Sequence, residues 1–164
     1  MASTPSSPSM NHQAIQPAFV RVSQRSEWDD AFACIATITG KSLDDVYAVA
    51  TDKLKFPKHP PRWITESMIN RLLAHCGYSS TVYKPVAKLA DIPDVAIILV
   101  EWSNDMDVGR HAVFVRDRRT AKKPQEYVLD PAYWIEPRLH VRIDIKNLAP
   151  AWYIGVVPMN HALT

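Results

Sequence analysis

The strongest constraint on the fold is a change of period partway along the chain. Between residues 28 and 77 the apolar residues recur at helical spacing, whereas from residue 80 onward they alternate or gather in short runs bounded by turn residues. Helices that precede all of the strands do not form repeating βαβ units. The order predicts an α+β domain with a largely antiparallel sheet rather than a doubly wound parallel one.

The helical part reads in three pieces. A first helix starts near Trp28 to Asp30; its Phe32, Ile35, Ala36 and Ile38 cover more than one face, as in a helix packed on both sides, and Gly40 supplies a left-handed stop. Ser42 with Asp45 makes a capping-box pattern, and Leu43, Val46, Tyr47, Val49 and Ala50 carry a second helix to about Lys53. The prolines of "KFPKHPPRW" end it. Thr65 caps a third helix through Met68, Ile69, Leu72, Leu73 and Cys76, which stops at Gly77. Ahead of these, "AFVRVSQ" at 18–24 alternates and predicts an extended entry. Strands are predicted in "STVYK" (80–84), "VAIILVEW" (95–102), "HAVFVRD" (111–117), "EYVLDPA" (126–132), "HVRIDI" (140–145) and "AWYIGVV" (151–157).

A length of 164 residues suits one domain, expected over 18–160, behind a Ser/Pro-rich leader at 1–17 that is expected to be disordered. Hydrophobic residues at 47% and charged residues at 22% fit a soluble globular chain. The longest apolar run falls far short of the roughly 20 residues that cross a bilayer, so no membrane insertion is expected. The N-terminus lacks the charged and apolar regions of a Sec signal, which favours a cytoplasmic location and leaves delivery to another cell open. Cys34 and Cys76 fit neither a disulfide framework nor a metal-ligand spacing, and four glycines make a phosphate cradle hard to build. No metal or organic cofactor is implied. The densest basic run, "RDRRTAKK" at 116–123, reads as a solvated hairpin tip in a chain of net charge +2, and nothing resembles a nucleic-acid module.

Four features stand in a suggestive order: Gln24, the N-terminal end of the first helix at residue 30, His111 after Gly109, and Asp130 before Pro131. A nucleophile profits from a helix N-terminus because unpaired N–H groups and the helix dipole stabilise an anion there. A histidine on a strand can take the proton, and an aspartate on the neighbouring strand can hold the imidazole in one tautomer.

In "QRSEWDDAFACIA", "RHAVFV" and "LDPA" the chain resembles papain-like cysteine peptidases of the bacteriocin-leader-processing, double-glycine type and their stand-alone relatives. The resemblance spans about residues 20–135. It implies a papain-like fold with N-terminal helices packed on an antiparallel sheet. It further implies Gln24 as oxyanion donor, residue 30 as the nucleophile position, His111 as base, Asp130 as orienter, and a peptide or protein substrate in the cleft between helices and sheet.

The departure is that Asp30 occupies the nucleophile position and Ala31 that of the glycine after it. Attack by a carboxylate on an amide must form a mixed anhydride, an uphill step, because carboxylate leaves far more easily than amine. Thiol proteolysis is therefore not expected. Three explanations stand open: a natural loss of catalysis with the cleft kept for binding, an active thiol peptidase or amidase whose cysteine was changed to Asp30, or a shifted register with Cys34 as nucleophile. A non-enzymatic adaptor, inhibitor or immunity-type protein belongs with the first. Cys34 sits one turn beyond Asp30 among core-type residues, so a packed, inert thiol is its simplest reading. His59, His75, His140 and His161 share no ligand spacing. Trp28, Trp63, Trp102, Tyr133 and Trp134 are candidates for core or cleft-wall aromatics.

Overall fold

The computed structural model describes residues 15–58, 64–119 and 122–159. The leader up to residue 14, His59, Trp63 and His161 lie outside the described residues, as does the centre of the basic run at 120–121. Among the described residues the chain is α+β, with four α-helices and seven strands, the three longer helical segments preceding every strand.

Helix α1 spans Asp30–Thr39 and is buried from Asp30 to Ile38. Its alanines at 31, 33 and 36 let it sit close to its neighbours, while Phe32, Ile35 and Ile38 each contribute roughly 1.5–3 kcal/mol through burial. Gly40 ends it in the left-handed conformation with φ 69°. The helix begins at Asp30 and not at Trp28. Asp29 is its N-cap, but the Asp29 carboxylate caps the incoming chain instead, accepting from the Arg25 and Ser26 N–H groups and from the Tyr47 hydroxyl. Helix α2, Leu43–Ala48, has the full capping box between Ser42 and Asp45 and runs on into a π-helical turn at Val49–Lys53. Helix α3, Glu66–His75, is capped by Thr65, whose hydroxyl accepts from the Met68 N–H. No described helix is long and apolar enough to cross a membrane.

The strands are β1 (Tyr78–Ser80), β2 (Lys84–Pro85), β3 (Val95–Ser103), β4 (Val108–Asp117), β5 (Gln125–Leu129), β6 (Val141–Arg142) and β7 (Trp152–Pro158). All pairings are antiparallel, in the order β1-β7-β3-β4-β5-β6, with β2 also pairing β7. The interior strands are apolar on both sides because the sheet separates two cores. Ile97, Val113, Val115, Leu129 and Ile154 face the helices, while Ala96, Ile98, Ala112, Phe114 and Val128 enter the second core with Ile145 and Leu148.

Two of the predicted strands are corrected. "STVYK" is broken at 81–83, because the Tyr83 N–H donates to the Glu66 carboxylate at 2.7 Å rather than to the ladder. "HVRIDI" pairs only through Val141 and Arg142, after which helix α4, Ile145–Leu148, takes over. Its Ile145 and Leu148, three residues apart, share one buried face, a helical spacing hidden inside an apparent period of two. The entry at 18–24 joins no strand and bends at Ala18 and Phe19; it is held by Ala18 N–H to the Tyr127 hydroxyl and Val22 N–H to the Thr37 hydroxyl. The basic run is largely neutralised on the spot: Arg116 pairs with Asp94 and Glu126, Arg118 with Asp94, and Arg119 with Asp117.

Candidate functional site

Strand parity builds the site. In β4, residues 111, 113 and 115 point to the helical side, so the periodicity that buries Val113 and Val115 also aims His111 at the N-terminus of α1. There the two meet. One Asp30 carboxylate oxygen accepts from the His111 backbone N–H at 2.6 Å and lies 3.0 Å from His111 Nδ1; the other accepts from the Ala31 N–H at 2.8 Å. Asp30 is 8% exposed. Burial pushes its carboxyl upward, but the donations from His111 and Ala31 outweigh that and hold it below the usual carboxylate range. Asp30 is accordingly an anion at neutral pH, as its place in the first turn of a helix favours.

The other imidazole nitrogen, Nε2, lies 2.7 Å from the Tyr83 hydroxyl. Burial, then the nearby Asp30 and Glu66 carboxylates, raise the Tyr83 phenol well above its ordinary range, so it remains protonated. Both ring nitrogens of His111 are thus engaged, one by a carboxylate and one by a phenol. Sequence reasoning missed Tyr83, since the break that turns it toward His111 is made by the distant Glu66.

Asp130 lies elsewhere. Val113 opposes Leu129 in the β4–β5 ladder, so position 130 continues opposite Ala112, on the face that Arg110 shares and His111 does not. The fully buried Asp130 makes a two-point ion pair with Arg110, at 2.5 and 3.0 Å, and accepts from the Ala132 N–H. Arg110 also pairs with Glu101, and its guanidinium carbon lies 5.8 Å from the centre of the Trp134 ring. Burial disfavours the Arg110 charge, yet Asp130 and Glu101 more than offset this and raise its pKa. The expected imidazole orienter is here the counterion of an arginine. Alternation along β4 and β5 is the signal that could have found this pairing.

Gln24 is buried, 2% exposed, and its backbone N–H donates to the Pro131 carbonyl, which seats it beside the Asp130 turn. Its side-chain Nε2 donates to the Ser26 carbonyl at 2.8 Å, and its Oε1 is buried without a hydrogen-bond partner. One of the two amide N–H groups is thereby engaged locally. Cys34 is fully buried one turn beyond Asp30; burial first, then the fields of Asp30 and Asp130, push its thiol well above the ordinary range. His111 reaches Asp30 by hydrogen bond, and the structure gives it no such bond to Cys34.

Above the Asp30–His111 pair opens a cleft of about 740 Å³ between the helical half and the sheet. Trp28, Tyr83, Trp102 and Trp152 supply aromatic lining, and Met106 and Val108 come from the β3–β4 hairpin tip. Trp102 and Trp152 meet edge to face with ring centres 6.2 Å apart. Gly109 also lines the cleft, and a Cβ there would come within 3.0 Å of the Val100 carbonyl and 3.1 Å of the Trp102 ring. Glu101 and Asp107, near the ends of that hairpin, both have left-handed backbones, with φ 52° and 50°. Tyr133 and Trp134 stack edge to face on the surface and do not line the cleft. No protein-family model matches the chain, and no curated protein matches its sequence.

Proposed function

We propose that the chain is a papain-like peptidase-type domain that holds an extended peptide in the cleft without cutting it. The observation that carries this reading is the Asp30 carboxylate, which occupies the helix N-terminus opposite His111 and is engaged there by three donors. A carboxylate so held is a poor attacking group, and its product with an amide is an uphill mixed anhydride. It also occupies the Nδ1 side of His111, while Tyr83 occupies the Nε2 side, so no imidazole nitrogen is left for a substrate proton. The aromatic lining supports binding, since exposed Trp and Met side chains around a concave site mark a ligand surface.

A second reading, a thiol peptidase or amidase altered at residue 30, is favoured by the 3.0 Å approach of His111 Nδ1 to that position. Against it stands the two-point pairing of Asp130 with Arg110, which takes that carboxylate away from the imidazole it would have to orient. Incubating the chain and its Asp30→Cys variant with a random peptide library separates the readings. Retention of peptides by both, with no new termini by mass spectrometry, is the expected result. Cleavage by the unaltered chain overturns the proposal, and cleavage only by the variant establishes the second reading in its place.

A further inference from the structure

Two carboxylates stand on the rim of the cleft, on opposite sides of its aromatic lining. Several carboxylates of the described surface are matched with arginines: Asp44 with Arg25, Asp94 with Arg118, Asp117 with Arg119, Glu136 with Arg138 and Asp144 with Arg142; others, among them Asp45, Asp91 and Asp105, are exposed with no ion pair among the described residues. Glu27 and Asp107 are exposed cleft residues, one ahead of α1 and one on the β3–β4 hairpin, and neither has an ion pair among the described residues. No lysine or arginine among the described residues lines the cleft. This negative lip belongs to a chain whose net charge is +2, so the acidity is local and not a property of the whole surface.

We propose that the cleft selects a basic peptide, taking a lysine or arginine side chain whose charge is met by Glu27 and Asp107 and by the indole rings of Trp102 and Trp152. The inference rests on the peptide-binding reading above and names its ligand class. Tryptophan is the best aromatic partner for a cation, and a partly desolvated site strengthens the attraction relative to open solvent. Carboxylates on two walls of one concavity add a field that draws cations in and repels acidic segments. The apolar stem of a long basic side chain suits Met106 and Val108, which are 71% and 38% exposed beside those charges.

The test uses three fluorescein-labelled heptapeptides of one backbone sequence, carrying lysine, norleucine or glutamate at two alternate positions, titrated with the full chain and read by polarisation. The lysine peptide is expected to bind about tenfold tighter than the norleucine peptide, with the glutamate peptide weakest. In the double variant Glu27→Gln with Asp107→Asn, both substitutions being on the exposed surface, the lysine peptide is expected to fall to the norleucine level while circular dichroism is unchanged. Equal, measurable binding of the lysine and norleucine peptides overturns the selectivity and leaves peptide binding standing. Failure of all three to bind overturns both.

Discussion

Truncating Arg110 to alanine is expected to lower the unfolding free energy by about 3–5 kcal/mol. The reason lies with the partner that is left behind. Asp130 is fully buried, and Arg110 meets both of its carboxylate oxygens. Arg21 stays nearby, but its guanidinium donates to the Asp130 and Ala132 carbonyl oxygens and does not replace the two-point contact. A loss of this size is a large fraction of the stability of an ordinary domain. Urea unfolding monitored by circular dichroism measures it, with Arg138→Ala as the control. Arg138 pairs with Glu136 at an exposed site, so its loss is expected to stay within about 0.5 kcal/mol. Losses of similar size for the two variants would contradict the role given to Arg110.

The second large effect is a dependence on acid. The Asp30 carboxyl is depressed in the folded chain, so between its folded pKa and the ordinary value near 4 the unfolded chain binds more protons. Stability from this group is therefore fully present above about pH 4 and is lost as pH falls through the folded pKa. Asp30→Asn is expected to flatten that acid limb and to cost about 1–3 kcal/mol at pH 6, because donors from His111 and Ala31 lose the carboxylate that accepts from them. Other depressed carboxyls remain. Arg119 holds Asp117 at about 2, so the limb shrinks without vanishing. Thermal unfolding midpoints of both proteins from pH 2.5 to 7 give the comparison, and parallel curves would count against Asp30 as a buried anion.

Much of this arrangement was legible in the chain because it follows from period. The order of helices before strands, the all-round burial of α1 and the Ser42–Asp45 capping box are local facts that tertiary structure had no reason to override. Parity along "HAVFVRD" also carries His111 to the helical side, which is why two residues 81 apart could be suspected of meeting. What could not be read depended on distant partners. Tyr83 turns toward His111 because Glu66 takes its backbone N–H out of the strand, and no local pattern announces that. The family resemblance and the adjacency of the two strands point Asp130 at His111; counting alternation across the β4–β5 register sends it to Arg110. The end of "HVRIDI" was lost to α4 because Ile143 and Ile145 satisfy a strand pattern while Ile145 and Leu148 satisfy a helical one, and burial decides for the helix.

We propose that residue 30 stands where papain-like peptidases carry their thiol, and that Asp30 keeps that position occupied by an unreactive anion. Replacing it with a thiol tests the position itself. In the Asp30→Cys variant the new thiol stands at a helix N-terminus beside His111, both of which favour the thiolate, whereas Cys34 is fully buried with its pKa pushed well above the ordinary range, and Cys76 is raised by burial to a lesser degree. Brief treatment of the folded variant with iodoacetamide at neutral pH, mapped by peptide mass spectrometry, is the direct measurement. The expected result is carbamidomethylation of residue 30 ahead of Cys34 and Cys76; a folded variant in which residue 30 stays unmodified, or in which Cys34 reacts first, would contradict the account.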